Sequence, residues 1–242
     1  MLKPLALLLS ALVLLAAGCG GDGGGGGGAV GTQGTAAAEL LGPDTFLYAA
    51  IDTDLESSQW QQVDDLLQKF PGREKLLQEL RDSLADDGVD YESEVAPALG
   101  EALYLVVSEV PPKGEDVPFY ALHKPKDADK FEALLRAGDD PEDVPEFKVL
   151  DDGWYAIADS REVLDSVRLV EEGDTLASDE RFTQAMDGLA DDAIAKVYVS
   201  GEDAGEALRE YGGAAGVTLQ QFGYERFDSF AAALSAEDDG VR

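Results

Sequence analysis

Histidine and cysteine are almost missing from this chain: His123 and Cys19 are single occurrences in 242 residues. Such a chain has no ligand set for zinc, copper or an iron–sulfur cluster, and a lone cysteine closes no internal disulfide. No metal or cofactor is therefore expected. Positive charge is scarce too, with 18 Lys and Arg against 50 Asp and Glu, a formal charge of −32. That balance argues against nucleic acid as a partner, because its binding depends on cationic contacts to phosphates. It also argues against docking of the folded part on anionic lipid head groups. Catalytic signatures are lacking as well. No Gly-x-Ser-x-Gly elbow occurs, and the glycine run at Gly23–Gly28 is not followed by the Lys-Ser/Thr of a phosphate loop. His123 alternates with Ala121 and Phe119 and reads as a structural residue on one strand face, so no catalytic residue is assigned.

What is present begins at the N-terminus. Met1-Leu2-Lys3 supplies a positive charge, and Leu5 to Ala17 is nearly unbroken Leu, Ala and Val. This run falls short of the roughly 20 apolar residues that span a bilayer, but it suits the apolar region of a signal peptide. The small residues Ala16, Ala17 and Gly18 precede Cys19. Leu15-Ala16-Ala17-Gly18-Cys19 resembles a lipobox, which implies cleavage between Gly18 and Cys19 and diacylglyceryl modification of Cys19. Each buried acyl methylene contributes roughly 0.8 kcal/mol, so two chains make a durable anchor. The expected division is a signal peptide over residues 1–18, a glycine-rich flexible linker over 19–42, and a globular domain over 43–242. A glycine-rich tether of this kind spans roughly 25 Å as a coil.

Within the globular part, the pattern predicts strands at Thr45–Ile51, Ala102–Val107, Phe119–Lys124, Ile194–Val199 and Phe227–Ala236. Ser57 or Ser58 caps a helix with Trp60, Val63, Leu67 and Phe70 on one face. Further helices carry Leu76 to Leu84, Phe131 to Leu135 behind an Asp127 cap, and Val163 to Val170 opening at Asp159. Two more open at Ser178, burying Phe182 and Met186, and at Ala204. Asp152-Gly153, between Phe147–Leu150 and Trp154–Ala158, is the strongest hairpin signal, since its turn needs positive φ at both central residues. The irregular alternation, with a hairpin, predicts an α+β fold: a mixed, mainly antiparallel sheet with helices packed against it. Acidic runs at Asp86–Asp90, Asp139–Asp143 and Gly201–Asp203 lack the spacing of a calcium-binding loop and read as solvated turns. Trp60 and Trp154 read as packing residues. Asp239-Gly240 repeats the turn chemistry with only Val241 and Arg242 after it, which leads us to expect a domain truncated at its C-terminus.

Pro43-Asp44-Thr45-Phe46-Leu47-Tyr48, Phe70-Pro71-Gly72, Pro97-Ala98-Leu99-Gly100-Glu101, the Phe119-to-Leu135 unit and Phe230-to-Arg242 carry a resemblance. Through them the chain resembles an exported actinobacterial-type lipoprotein family whose globular region is a domain of unknown function. The resemblance implies an extracytoplasmic domain held to the cell membrane by its N-terminal lipid. The expected role is binding of an envelope protein or ligand without catalysis. The competing expectation is an envelope hydrolase that uses carboxylates alone.

Overall fold

The computed structural model describes residues 34–75, 78, 91–110, 117–137, 144–201, 228–237 and 240–241. Its centre is a seven-stranded sheet. In chain order the strands are β1 (Leu47–Asp52), β2 (Ala102–Val107), β3 (Phe119–His123), β4 (Glu146–Val149), β5 (Tyr155–Ala158), β6 (Ala195–Ser200) and β7 (Ser229–Leu234). They lie side by side as β4-β5-β3-β2-β1-β6-β7, and every neighbouring pair is antiparallel. The α+β class is thus observed, with the sheet antiparallel throughout the described residues. Helices α1 (Ser58–Gln68), α2 (Ala128–Leu135), α3 (Arg161–Ser166) and α4 (Glu180–Met186) pack against it.

Alternation sorts the strand residues between two faces. Tyr48, Ala50, Tyr104, Val106, Tyr120, Leu122, Ala156, Ala158 and Tyr198 point to one face and form the main core with Trp154, Leu164, Leu176, Phe182 and Met186. Three tyrosines there meet aromatic neighbours edge-on or tilted: Phe182 stands 5.5 Å from Tyr48 and 5.0 Å from Tyr198. On the opposite face Ala121, Tyr155 and Ile157 pack against Phe131 of α2 and against Ala98.

Local chemistry sets the boundaries. Ser57 accepts from the Trp60 N–H at the start of α1, and Asp127 accepts from Lys130 N–H at the start of α2. The expected hairpin turn is present: Trp154 N–H donates to Asp151 O at 3.2 Å, with φ of 56° at Asp152 and 79° at Gly153. Some caps lie one residue later than the pattern suggests. Ser160, not Asp159, accepts from Val163 N–H, and Asp179, not Ser178, caps α4. Phe70 is 62% exposed rather than buried, because α1 ends at Gln68 and the inward face does not reach it. The terminal turn also differs. Strands β8 (Ala236–Glu237) and β9 (Gly240–Val241) pair Glu237 with Gly240, so Gly240 belongs to the returning strand rather than to the turn.

The largest correction concerns the linker. Its last part, read as flexible to residue 42, is packed structure. Ala36–Leu40 forms a short 3-10 helix; Ala37 and Ala38 are fully buried and Leu41 is 1% exposed in the main core. Leu40 O and Leu41 O accept from Val170 N–H and Leu176 N–H, which sews the segment to the chain after α3. Of the helix expected at Leu76–Leu84 only Gln78 is described, and it is helical; the helix expected from Ala204 and the acidic runs at Asp86–Asp90 and Asp139–Asp143 lie outside the described residues.

Candidate functional site

The alternation of β6 places Ile194, Lys196 and Tyr198 in phase, so a lysine occupies a core-facing position. Lys196 is 3% exposed. Its cross-strand neighbours are Ala50 on β1 and Ala233 on β7, both too small to fill the layer. A cavity of about 80 Å³ opens there, lined by Lys196, Asp52, Ser57, Gln59, Asp191 and Asp192 among others. Ala50 and Ala102 are among its lining residues, and their small side chains leave the space open.

Gly34 closes the cavity above the lysine stem. A Cβ on Gly34 would come within 3.1 Å of Lys196 Cδ and 3.4 Å of its Nζ. The peptide is held there by Tyr48, whose hydroxyl donates to Gly34 O at 3.0 Å. Glycine at this position lets the backbone lie directly on the lysine. Burial lowers the Lys196 amine below the usual lysine range, and the carboxylates of Asp191 and Asp192 pull it back upward. Neither carboxylate reaches ion-pair distance. No hydrogen bond or ion pair is made by Lys196 Nζ among the described residues. A lysine at a core-facing position that makes no ion pair among the described residues is unusual, and it marks the cavity as a candidate site.

The walls are fixed by their own bonds. Gln59, 4% exposed, donates from Nε2 to Asp192 Oδ2 at 3.3 Å and accepts at Oε1 from Ala236 N–H at 2.7 Å. It thereby ties α1, the turn before β6 and β8 into one frame. Asp52 accepts at Oδ1 from Asp54 N–H at 2.8 Å, and Trp60 Nε1 donates to the Asp52 carbonyl at 3.0 Å. Burial raises the Asp52 carboxyl, against the lowering effect of its bonds with Ser57 and the Asp54 amide. Among the described residues, no three acidic, histidine or cysteine side chains come together in a way that holds a metal ion.

The residues singled out in the sequence fall elsewhere. Gly18 and Cys19 lie outside the described residues. His123 is 1% exposed on the face opposite Lys196, with both ring nitrogens used by backbone groups: Gly100 N–H donates to Nε2, and Nδ1 lies 2.9 Å from Ala102 O. Trp154 is a core residue and Trp60 braces Asp52. Lys196, Asp52, Asp191 and Asp192 were not singled out, although a lysine in phase with Ile194 and Tyr198 was a readable signal. No helix among the described residues is long and apolar enough to cross a membrane. No family model, curated protein or solved structure matches the chain.

Proposed function

We propose that this chain is a lipid-anchored extracytoplasmic lipoprotein that binds a small ligand or envelope partner without transforming it. The N-terminal order of charge, apolar run and small residues before Cys19 supports export, and the resemblance to exported lipoproteins points the same way. The observation that carries the binding reading is Lys196, a residue 3% exposed that lines an 80 Å³ cavity together with Asp52, Asp191 and Asp192. Ligand sites combine an enclosed space with a few placed polar groups, and this cavity has that character on a small scale.

Two experiments test the proposal. Radioactive palmitate should label the wild-type protein in membranes and leave Cys19→Ala unlabelled; label persisting in the variant overturns the anchor. For binding, melting of the full chain is followed with a panel of small sugars, polyols, carboxylates, amines and amino acids. At least one should raise the midpoint in wild type and fail to do so in Lys196→Met. A carboxylate-dependent hydrolase is the alternative, and it draws on Asp52, whose carboxyl burial raises at the cavity wall. The Asp54 amide and Ser57 already engage that carboxylate, which favours the binding reading.

A further inference from the structure

We propose that the Lys196 cavity is a site for the charged head of a small zwitterion, with a carboxylate on Lys196 Nζ and an ammonium against Asp191 and Asp192. The inference rests on the binding reading above and gives its ligand a chemical class.

The charges of the cavity lead to that class by elimination. The ammonium of Lys196, a residue 3% exposed with no hydrogen-bond or ion-pair partner among the described residues, wants acceptor oxygens. A simple anion would supply them, but it would also meet Asp52, Asp191 and Asp192 on the same walls. A simple cation would suit those carboxylates and be repelled by Lys196. A metal ion has no three-ligand set among the described residues. A molecule carrying both charges a few ångströms apart satisfies both sides, and opposite charges at about 4 Å attract strongly in such partly dry surroundings.

Geometry sets the orientation and the size. Asp191 and Asp192 stand in the turn that leads into β6, on the same chain as Lys196 and close enough for their charge to act on it, yet beyond ion-pair distance. A group inserted between them would be contacted from both ends. Gln59 holds Asp192 at Oδ2, so the carboxylate is pre-positioned rather than free to swing onto the lysine. The 80 Å³ volume has room for the carboxylate, the α-carbon and the amine of a small amino acid. Ala50 and Ala102 on the cavity wall leave that room, and Gly34 roofs it without a side chain.

The test is thermal melting of the full chain with glycine, and separately with acetate, methylamine and glycerol. Glycine at about a hundred times its Kd should raise the midpoint by roughly 5–10 °C, with acetate and methylamine each far weaker. Lys196→Met should melt at or above wild type, since it replaces a buried charge with an apolar chain of similar volume, and should lose the glycine shift. Asp192→Asn keeps an acceptor for Gln59 and should weaken glycine by at least about tenfold while leaving acetate no weaker. A Lys196-dependent shift with glycerol or acetate equal to that with glycine overturns the zwitterion and leaves the binding reading standing. No shift with any of these or with the wider panel overturns both. A large fall in the Lys196→Met midpoint makes the lysine a structural member and overturns the site.

Discussion

The imidazole of His123 and the backbone of Gly100 are fitted to each other. Gly100 N–H donates to His123 Nε2 at 3.1 Å, while Nδ1, 2.9 Å from Ala102 O, carries the proton that bonds it. The ring therefore works as a neutral clamp between the turn before β2 and the end of β3. Burial lowers its pKa below the ordinary value of 6.5, outweighing the bonds to Ala102 and Ala98 that favour the charged form.

A pH dependence follows. Because the folded value is depressed, the unfolded chain binds the proton first as pH falls. His123 thus contributes its full stability above about pH 6.5 and loses it as pH falls toward the folded value. The midpoint of the wild type should drop more between about pH 7.5 and pH 5.5 than that of His123→Gln, whose amide can accept from Gly100 and donate to Ala102 without titrating. Parallel profiles would show that the clamp does not titrate in this range. Any binding measured should survive the same substitution within a few-fold, as His123 faces away from Lys196.

Gly100 itself is fixed by close approach rather than by a turn. A Cβ there would fall 2.0 Å from the carbonyl oxygen of Lys124, an atom of backbone that has no side-chain freedom to move aside. Gly100→Ala should cost about 1–3 kcal/mol or more, as overpacking does, and should be seen as a lower urea midpoint. A neutral result would mean that the β3 exit shifts at little cost.

The boundary of the domain can be tested by truncation. A chain starting at Gly34 keeps Ala37, Ala38 and Leu41 in the core, whereas one starting at Gly42 removes all three. Losing a buried leucine alone costs about 2–5 kcal/mol. The shorter chain should therefore melt at least roughly 5 °C below the longer one, given about 2–4 °C per kcal/mol for a domain of this size. Equal midpoints would return these residues to the linker.

The contrast between strands and this segment marks what the sequence carries. β2 and β3 are readable nearly to the residue because alternation repeats over their whole length, and Asp152-Gly153 is readable because its backbone demands positive φ. Thr35 to Leu41 has no such period. Its alanines continue a low-complexity run, and a five-residue 3-10 helix is too short to show a repeating face. The cavity was hidden for a related reason. Lys196 is in phase with its buried neighbours, but the small residues that leave space beside it, Ala50 and Ala102, are on two other strands, and register across strands is not visible along one chain.

Asp179 at the start of α4 offers a test of a carboxylate whose sign is opposite to that of His123. Its Oδ1 accepts from the amides of Arg181 and Phe182 at 2.8 and 3.1 Å, and its Oδ2 lies 3.0 Å from the Arg181 guanidinium. The Arg181 side chain and then these amides hold the carboxyl below its ordinary value of 3.8 against the effect of burial. The folded form thus keeps the carboxylate ionised where the unfolded chain would protonate it. Its contribution is fully present above about pH 4 and is lost as pH falls through the depressed folded value. Asp179→Ala should cost about 0.5–2 kcal/mol near neutral pH, the usual range for a lost helix cap. That deficit should shrink as the pH is lowered toward about 3, because the wild type then loses the same interaction. Asp179→Asn keeps an oxygen for the amides but not the charge beside Arg181. It should recover part of the stability and show a flatter acid profile than wild type. A deficit for Asp179→Ala that stays constant down to the lowest pH reached would assign the effect to packing against Phe182 rather than to the carboxylate.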